Sequence, residues 1–190
     1  MHNDISQYRR VYGRTGGYHI VYTDPPWNLK KTLRKIRPNQ NRPLDYHTIS
    51  MDEIAEIHSE VFSKCADRHN VLMWCVETFL SEAEEMMHKL GYKTHCRMIW
   101  SKGYGLAPAF TVRYTHEYLV WFYKKGQILL PQESARGKYP SVLDAAKGKR
   151  HSEKPECVYE MIEDMFPESS KIELFARKTR AGWDSFGDEL

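Results

Sequence analysis

Apolar positions recur along this chain with two periods, and the switching between them outlines a fold. Tyr18 to Thr23 (YHIVYT) is rich in β-branched and aromatic residues and stops at Asp24-Pro25-Pro26, which reads as a strand and its end. A polar, basic loop follows as far as His47. Ser50 and Glu53 are spaced as a capping box, and Ile54, Ile57, Val61, Phe62 and Cys65 then fall on one face of a helix. His69 to Val76 predicts a second strand. Thr78 stands where a cap would for a second helix, with Phe79, Leu80, Ala83, Met86, Met87 and Leu90 inward and Gly91 at its end. Thr94 to Trp100 and His116 to Tyr123 predict two more strands, separated by the loop Ser101 to Thr115. The stretch Pro131 to Lys149 reads as irregular. Pro155 suits the first turn of a third helix with Val158, Met161, Ile162 and Met165 inward, and Pro167 stops it. Lys171 to Ala176 (KIELFA) completes the set as the final strand. Strands alternating with helices imply an α/β domain with a mostly parallel sheet. In such sheets ligands gather beyond the carboxyl ends of the strands, which directs attention to Asp24 and to the residues after Ala176.

Composition narrows the class. At 190 residues the chain is the length of one domain, and no linker or internal repeat divides it. With 41% hydrophobic and 13% aromatic residues it can fill a core of its own, and a net charge of +3 excludes a histone-like polycation. No apolar run approaches the roughly 18 residues of a membrane span, and the N-terminus lacks the order of a signal peptide. The four cysteines, Cys65, Cys75, Cys96 and Cys157, form no Cys-x-x-Cys pair. They read as small buried hydrophobes in a reducing compartment rather than as zinc ligands or disulfides. The histidines lack metal spacing too, so the expectation is a cytoplasmic protein with no metal and no membrane association.

The chemistry concentrates at Asp24-Pro25-Pro26-Trp27. As plain structure this is a stiff turn with a locally packed indole. It also suits a specific task. The exocyclic amine of a nucleobase is a weak nucleophile because its lone pair is delocalised into the ring. A carboxylate (Asp24) and a backbone carbonyl (Pro25) can accept its two N–H bonds, and a neighbouring ring (Trp27) can stack on the base.

Here the sequence resembles a known family, the DPPW-type N6-adenine methyltransferases. That is the family of the catalytic subunit of the eukaryotic mRNA m6A writer, with short bacterial and phage members. The resemblance extends to Tyr46-His47-Thr48-Ile49-Ser50-Met51-Asp52-Glu53, Ile99-Trp100-Ser101-Lys102, the Glu-bearing strand His116-Glu117-Tyr118-Leu119-Val120, His151-Ser152-Glu153-Lys154-Pro155, and Ile172-Glu173-Leu174-Phe175-Ala176-Arg177 with Gly182-Trp183 and Gly187. It implies a Rossmann-like, three-layer α/β/α methyltransferase fold in permuted (beta-class) order, with the catalytic tetrad first and the cofactor strand last. S-adenosylmethionine is the implied methyl donor. By motif, Asp24, Pro25, Pro26 and Trp27 are the catalytic set, and Asp24 also borders the donor. Tyr46 is expected to line the target-base pocket. Lys154 is expected to face the donor's carboxylate, with Glu173 and Phe175 nearby. Arg177 is expected to approach the ribose, and Asp188 and Glu189 to accept its hydroxyls. Taken alone, Arg177 fits a ligand contact or an ion pair equally, Asp188-Glu189 would read as a solvated acidic tail, and Glu173 in its apolar strand needs a partner, for which Arg177 and Lys154 are the candidates. The chain departs from nucleotide-binding patterns in having no Gly-x-Gly after its last predicted strand.

Between Lys30 and Arg42 stand six basic residues (Lys30, Lys31, Arg34, Lys35, Arg37, Arg42) and no acidic one. On its own that is a solvated loop; beside a base-flipping pocket it becomes a phosphate clamp, with Lys30, Lys31, Arg34 and Lys102 as substrate contacts. Lys147, Lys149 and Arg150, and Arg177, Lys178 and Arg180, form two further basic groups. The expected partner is nucleic acid, DNA in preference to RNA, with a second copy of the chain or a partner subunit as a further source of specificity. Transfer to cytosine N4 and a non-catalytic nucleic-acid-binding subunit are the competing readings. Retention of both Asp24 and Lys154 argues against the subunit, and Tyr46 with Trp27 leans toward adenine.

Overall fold

The structure is a computed structural model that describes residues 9–10, 16–28, 48–103, 112–124, 126, 128–145, 153–187 and 190. Its strands are β1 (Arg9–Arg10), β2 (Tyr18–Thr23), β3 (Cys65–Cys75), β4 (Tyr92–Ser101), β5 (His116–Lys124), β6 (Val142–Asp144), β7 (Lys171–Leu174) and β8 (Trp183–Gly187). Its helices are α1 (Met51–Phe62), α2 (Leu80–Lys89) and α3 (Glu156–Met165). The strands form one sheet in the order β1-β8-β7-β2-β3-β5-β4-β6.

The expected parallel bias holds at the centre, where β8, β7, β2 and β3 run parallel in succession. It fails toward both sides: β1 lies antiparallel to β8 at one edge, and β5 lies antiparallel to both β3 and β4 on the other side. For β5 the reason is connectivity. The crossover through α2 makes β3 and β4 co-directional but leaves a strand's width between them, and β5 turns straight back from β4 to fill it. The segment Leu119–Phe122 of β5 is accordingly buried on both faces.

Side-chain alternation assigns the two faces. Val21, Val71, Met73, Val120, Phe122, Ile172 and Leu174 pack under α1 and α2 with Ile54, Ile57, Val61, Ala83 and Met87. Ile20, Tyr22, Leu72, Trp74, Leu119 and Trp121 meet Val158, Met161, Ile162 and Met165 of α3 on the other. The capping box at Ser50 forms as read, with Ser50 Oγ accepting from the Glu53 amide and the Glu53 carboxylate from the Ser50 amide. Gly91 ends the α2 segment at φ +89°, which an L side chain rarely adopts.

Several boundaries differ from the expectation. Cys65 is no part of α1; it opens β3, because the Lys64 carbonyl accepts the Tyr18 amide and pulls the chain into the sheet early. Thr78 caps nothing: it falls inside a 3₁₀ turn, Glu77–Phe79, and Phe79 takes the N-cap position of α2 without a side-chain bond. Pro155 is the N-cap of α3 rather than its first turn. β7 stops at Leu174, short of Ala176, because Phe175 enters the left-handed region at φ +59°. β6 lies in the stretch expected to be irregular, and β8 follows the strand expected to be the last; pairing with β4 and β7 makes them strands. All four cysteines are free thiols, and of them Cys75 alone is buried while Cys157 is exposed. No helix among the described residues is long and apolar enough to cross a membrane.

Candidate active site

Three neighbouring parallel strands end at one level. Thr23 of β2 is in register with Leu174 of β7, and Leu174 with Phe186 of β8, so Asp24, Phe175 and Gly187 emerge side by side. Strand β2 is braced from below. His58 of α1 lies wholly buried with Nδ1 2.7 Å from the Ile54 carbonyl and Nε2 3.1 Å from Thr23 Oγ1. Burial lowers its pKa to about 4, so the ring is neutral; Nδ1 donates to Ile54 and Nε2 accepts the Thr23 hydroxyl.

The two prolines hold the turn beyond Asp24. The Trp27 amide donates to the Pro25 carbonyl at 2.8 Å, and the Ile49 amide to that of Pro26 at 3.3 Å. A carbonyl has two lone pairs, so Pro25 keeps an acceptor direction for an amine. Trp27 departs from its expected role as a base-stacking platform. Its ring is 5% exposed, stacks on Phe79 at 5.5 Å, and donates Nε1–H to the Trp74 carbonyl. It anchors the turn that presents Asp24.

Asp24 heads a chain of alternating charge. Lys154 Nζ lies 2.9 Å from Asp24 Oδ2 and 3.1 Å from Glu117 Oε2, and the other Glu117 oxygen accepts from Lys102. Burial raises the Asp24 pKa above the usual carboxylate range, with the Lys154 ammonium opposing the rise. Burial also works against the Lys154 ammonium, but Asp24 and Glu117 outweigh it and keep the lysine charged. For Glu117, Lys154 and Lys102 overcome burial and hold the carboxylate ionised. Lys154 therefore already has two carboxylate partners within the protein.

Glu173 finds a partner other than the two expected. Tyr159 of α3 donates its hydroxyl to it at 2.7 Å. Tyr159 meets Tyr22 edge-to-face at 4.9 Å, and the Tyr22 hydroxyl accepts the Trp74 Nε1–H at 2.6 Å. Burial pushes the Glu173 pKa up to about 7. Phe175, next along, has the left-handed backbone conformation that a glycine would be chosen for, a strained turn for a residue with a side chain. Gly187 is needed for space: a Cβ there would lie 2.0 Å from the Ala176 carbonyl oxygen. Arg177 is exposed, and its charge works to lower the Asp24 pKa. Arg180 is engaged elsewhere, donating Nε–H to Glu163 at 2.7 Å and lying over the Tyr159 ring. Lys30, Lys31, Arg34, Tyr46, Lys147, Lys149, Arg150, Asp188 and Glu189 lie outside the described residues. Among the described residues no group of His, Cys, Asp and Glu is arranged to hold a metal.

From the sequence Glu117 entered only as part of the Glu-bearing strand, with no role of its own, and His58 was not singled out. Glu117 had a usable signal, a carboxylate opening the apolar run Tyr118–Phe122, which demands a partner as Glu173 does. His58 had none, since its helical spacing is that of an ordinary inward residue.

The arrangement is that of an α/β enzyme that collects its reactive groups at the carboxyl edge of parallel strands. A family model, MT-A70, matches residues 18–189. The chain is 30% identical over 189 residues to the type II methyltransferase M.MunI of Mycoplasma sp, covering 91% of this chain and 78% of that protein. It is 26% identical over 182 residues to the human N(6)-adenosine-methyltransferase catalytic subunit METTL3, and 28% identical over 181 residues to an MT-A70-like N(6)-adenosine-methyltransferase of Arabidopsis thaliana. Those two alignments cover 92% of this chain but 28% and 24% of the relatives' own lengths. The chain belongs to the MT-A70 family of adenine-N6 methyltransferases.

Proposed function

We propose that this protein transfers the methyl group of S-adenosylmethionine to the N6 amine of adenine in DNA, acting in the cytoplasm of a bacterium or of a phage-infected bacterial host. The observation that carries the reading is Asp24: a carboxylate at the end of a central parallel strand, level with Phe175 and Gly187, with Pro25 fixed beside it. DNA is favoured because the bacterial type II methyltransferase aligns over most of its own length, whereas the animal and plant relatives align over about a quarter of theirs. The sheet order supports a Rossmann-like methyltransferase fold in permuted order, with Asp24 on an early strand and the donor edge formed by the late strands β7 and β8. Helices pack on both faces of that sheet, as the three-layer description requires.

The donor set suits such a cofactor. An amino-acid tail carries one charge of each sign, and this edge offers the Lys154 ammonium against the Asp24 carboxylate, with Glu173 of the neighbouring strand β7 held by Tyr159. S-adenosylmethionine supplies an electrophilic methyl on a sulfonium. Asp24 accepts one N–H of the flipped adenine and the Pro25 carbonyl the other, which turns the lone pair of N6 toward the methyl carbon. The amine gains a positive charge as it attacks, and Asp24, made more basic by burial, is placed to stabilise it and take the surplus proton. Lys154 shares its ammonium between Asp24 and Glu117, so a donor carboxylate would join an existing cluster rather than meet a lone cation.

The test is methyl transfer from labelled S-adenosylmethionine to double-stranded DNA, single-stranded DNA and RNA in parallel, read by nucleoside mass spectrometry. N6-methyladenine appearing in DNA is the expected result. Label confined to RNA overturns the substrate, label on cytosine N4 overturns the target atom, and a protein that binds no donor overturns the enzyme.

A further inference from the structure

The chain of charge behind Asp24 is longer than amine recognition requires. Asp24, Lys154, Glu117 and Lys102 come from four separate places: the end of β2, the segment before α3, the start of β5 and the residue after β4. Their charges alternate, so the quartet is neutral as a whole and each ion faces an opposite one. The side chains of Lys154, Glu117 and Lys102 are 8%, 12% and 13% exposed, against 26% for Asp24. The outermost member is therefore the carboxylate, and the other three lie behind it.

Both ammonium groups also sit on indoles. Lys154 Nζ is 5.3 Å from the Trp74 ring and Lys102 Nζ is 4.8 Å from that of Trp100, and the two rings meet edge-to-face at 5.7 Å. Each indole is fixed by its own N–H, Trp74 to the Tyr22 hydroxyl and Trp100 to the Ala145 carbonyl. The cations therefore rest on a rigid aromatic floor rather than at the ends of free side chains. The hairpin stem adds a main-chain restraint, since the Lys102 amide donates to the Thr115 carbonyl at 2.8 Å.

From this geometry we infer that Lys102 and Glu117 are positioning residues, which hold Lys154 against Asp24 and so set the orientation and charge state of the carboxylate that receives the amine. The inference rests on the reading of Asp24 given above. Lys102 thereby acts through Glu117 and not by touching nucleic acid. Removing Glu117 leaves Lys154 wholly to Asp24; removing Lys102 leaves two carboxylates competing for one ammonium. The two losses act on Asp24 with opposite sign. The other groups whose charges interact with Asp24 are Arg177 after β7, Glu173 on β7, Tyr22 on β2, Tyr159 on α3 and Cys75 on β3, and all of them are common to every variant compared.

The experiment follows the Asp24 carboxyl carbon by NMR in the full chain without ligand, assigned with Asp24→Asn, alongside the pH profile of kcat. Glu117→Gln is expected to move the Asp24 midpoint down, and Lys102→Met to move it up, each by about one unit. The acid limb of kcat is expected to shift the same way in each variant, and Lys102→Arg to restore wild-type behaviour. Thermal melting of each variant keeps misfolding from being mistaken for a shift. Midpoints that stay put, or move in the same direction in two folded variants, overturn the inference. Opposite midpoint shifts in a protein that methylates no adenine leave the positioning role intact and remove the proposed function, so the two failures are told apart.

Discussion

Lys154 lies between two carboxylates, Asp24 at 2.9 Å and Glu117 at 3.1 Å. Removal of Asp24 does not strand the lysine, because Glu117 still pairs with it. Asp24→Ala is therefore expected to fold, to bind nucleic acid within a few-fold of wild type, and to lose kcat by about a hundredfold to a thousandfold. Near-normal turnover in the methyl-transfer assay would contradict the role of Asp24. Glu173 makes a prediction of a different kind. Its pKa rises from 4.5 to about 7 on folding, chiefly through burial. The folded state then holds a proton that the unfolded chain releases, so stability falls as pH rises from 4.5 toward 7 and is flat above. Glu173→Gln keeps an acceptor for Tyr159 and carries no charge. It is expected to stabilise the protein by up to roughly 3 kcal/mol at pH 8 and by nothing below pH 4. Denaturant unfolding at both pH values checks it, and an equal effect at the two would show that charge burial is not the cause.

At the level of elements, the edge proposed above for the donor depends on how closely β7 and β8 approach as they end. Gly187 is placed where a Cβ would lie 2.0 Å from the Ala176 oxygen, against main chain that cannot swing aside. Gly187→Ala is expected to cost about 2–3 kcal/mol and to weaken donor binding together with stability, because the strand ends must part. Calorimetric titration with S-adenosylmethionine and a denaturant midpoint measure both, and an unchanged pair of values would refute the packing argument. Strand β2 is treated differently. Its final residue is held from α1 through His58, so the helix that follows the basic loop also braces the strand that carries Asp24. That connection is invisible in a periodicity pattern, which records only that residue 58 faces inward.

Across the whole molecule, the modest net charge hides an uneven distribution. Many described cations already face carboxylates: Lys64 with Glu60, Lys89 with Glu85, Arg97 with Glu84, Lys138 with Asp164 and Arg180 with Glu163. The six basic residues from Lys30 to Arg42 occupy a stretch with no acid in it. Replacing Lys30, Lys31 and Arg34 together by alanine is expected to weaken DNA binding without regard to sequence. It is also expected to reduce the slope of log affinity against log salt by about 2–3. Fluorescence anisotropy over a salt series reads both, and an unaltered slope would remove those residues from the interface.

What could be read directly from the chain was whatever depends on short-range periodicity and on rigid local chemistry. The exact span of β2, the capping box at Ser50, the inward faces of α2 and α3, and the Asp24-Pro25-Pro26-Trp27 turn are all of that kind, since each is decided by neighbours a few residues apart. Other features were decided by partners far away in sequence. β6 and β8 became strands only beside β4 and β7, β5 took its direction from a gap left by the α2 crossover, and Trp27 was drawn into the core by Phe79 and Trp74. Glu173 paired with Tyr159, and Lys154 with both Asp24 and Glu117, because a buried charge takes whichever partner the packing brings within reach. Sequence shows that such a partner must exist; three-dimensional proximity chooses it.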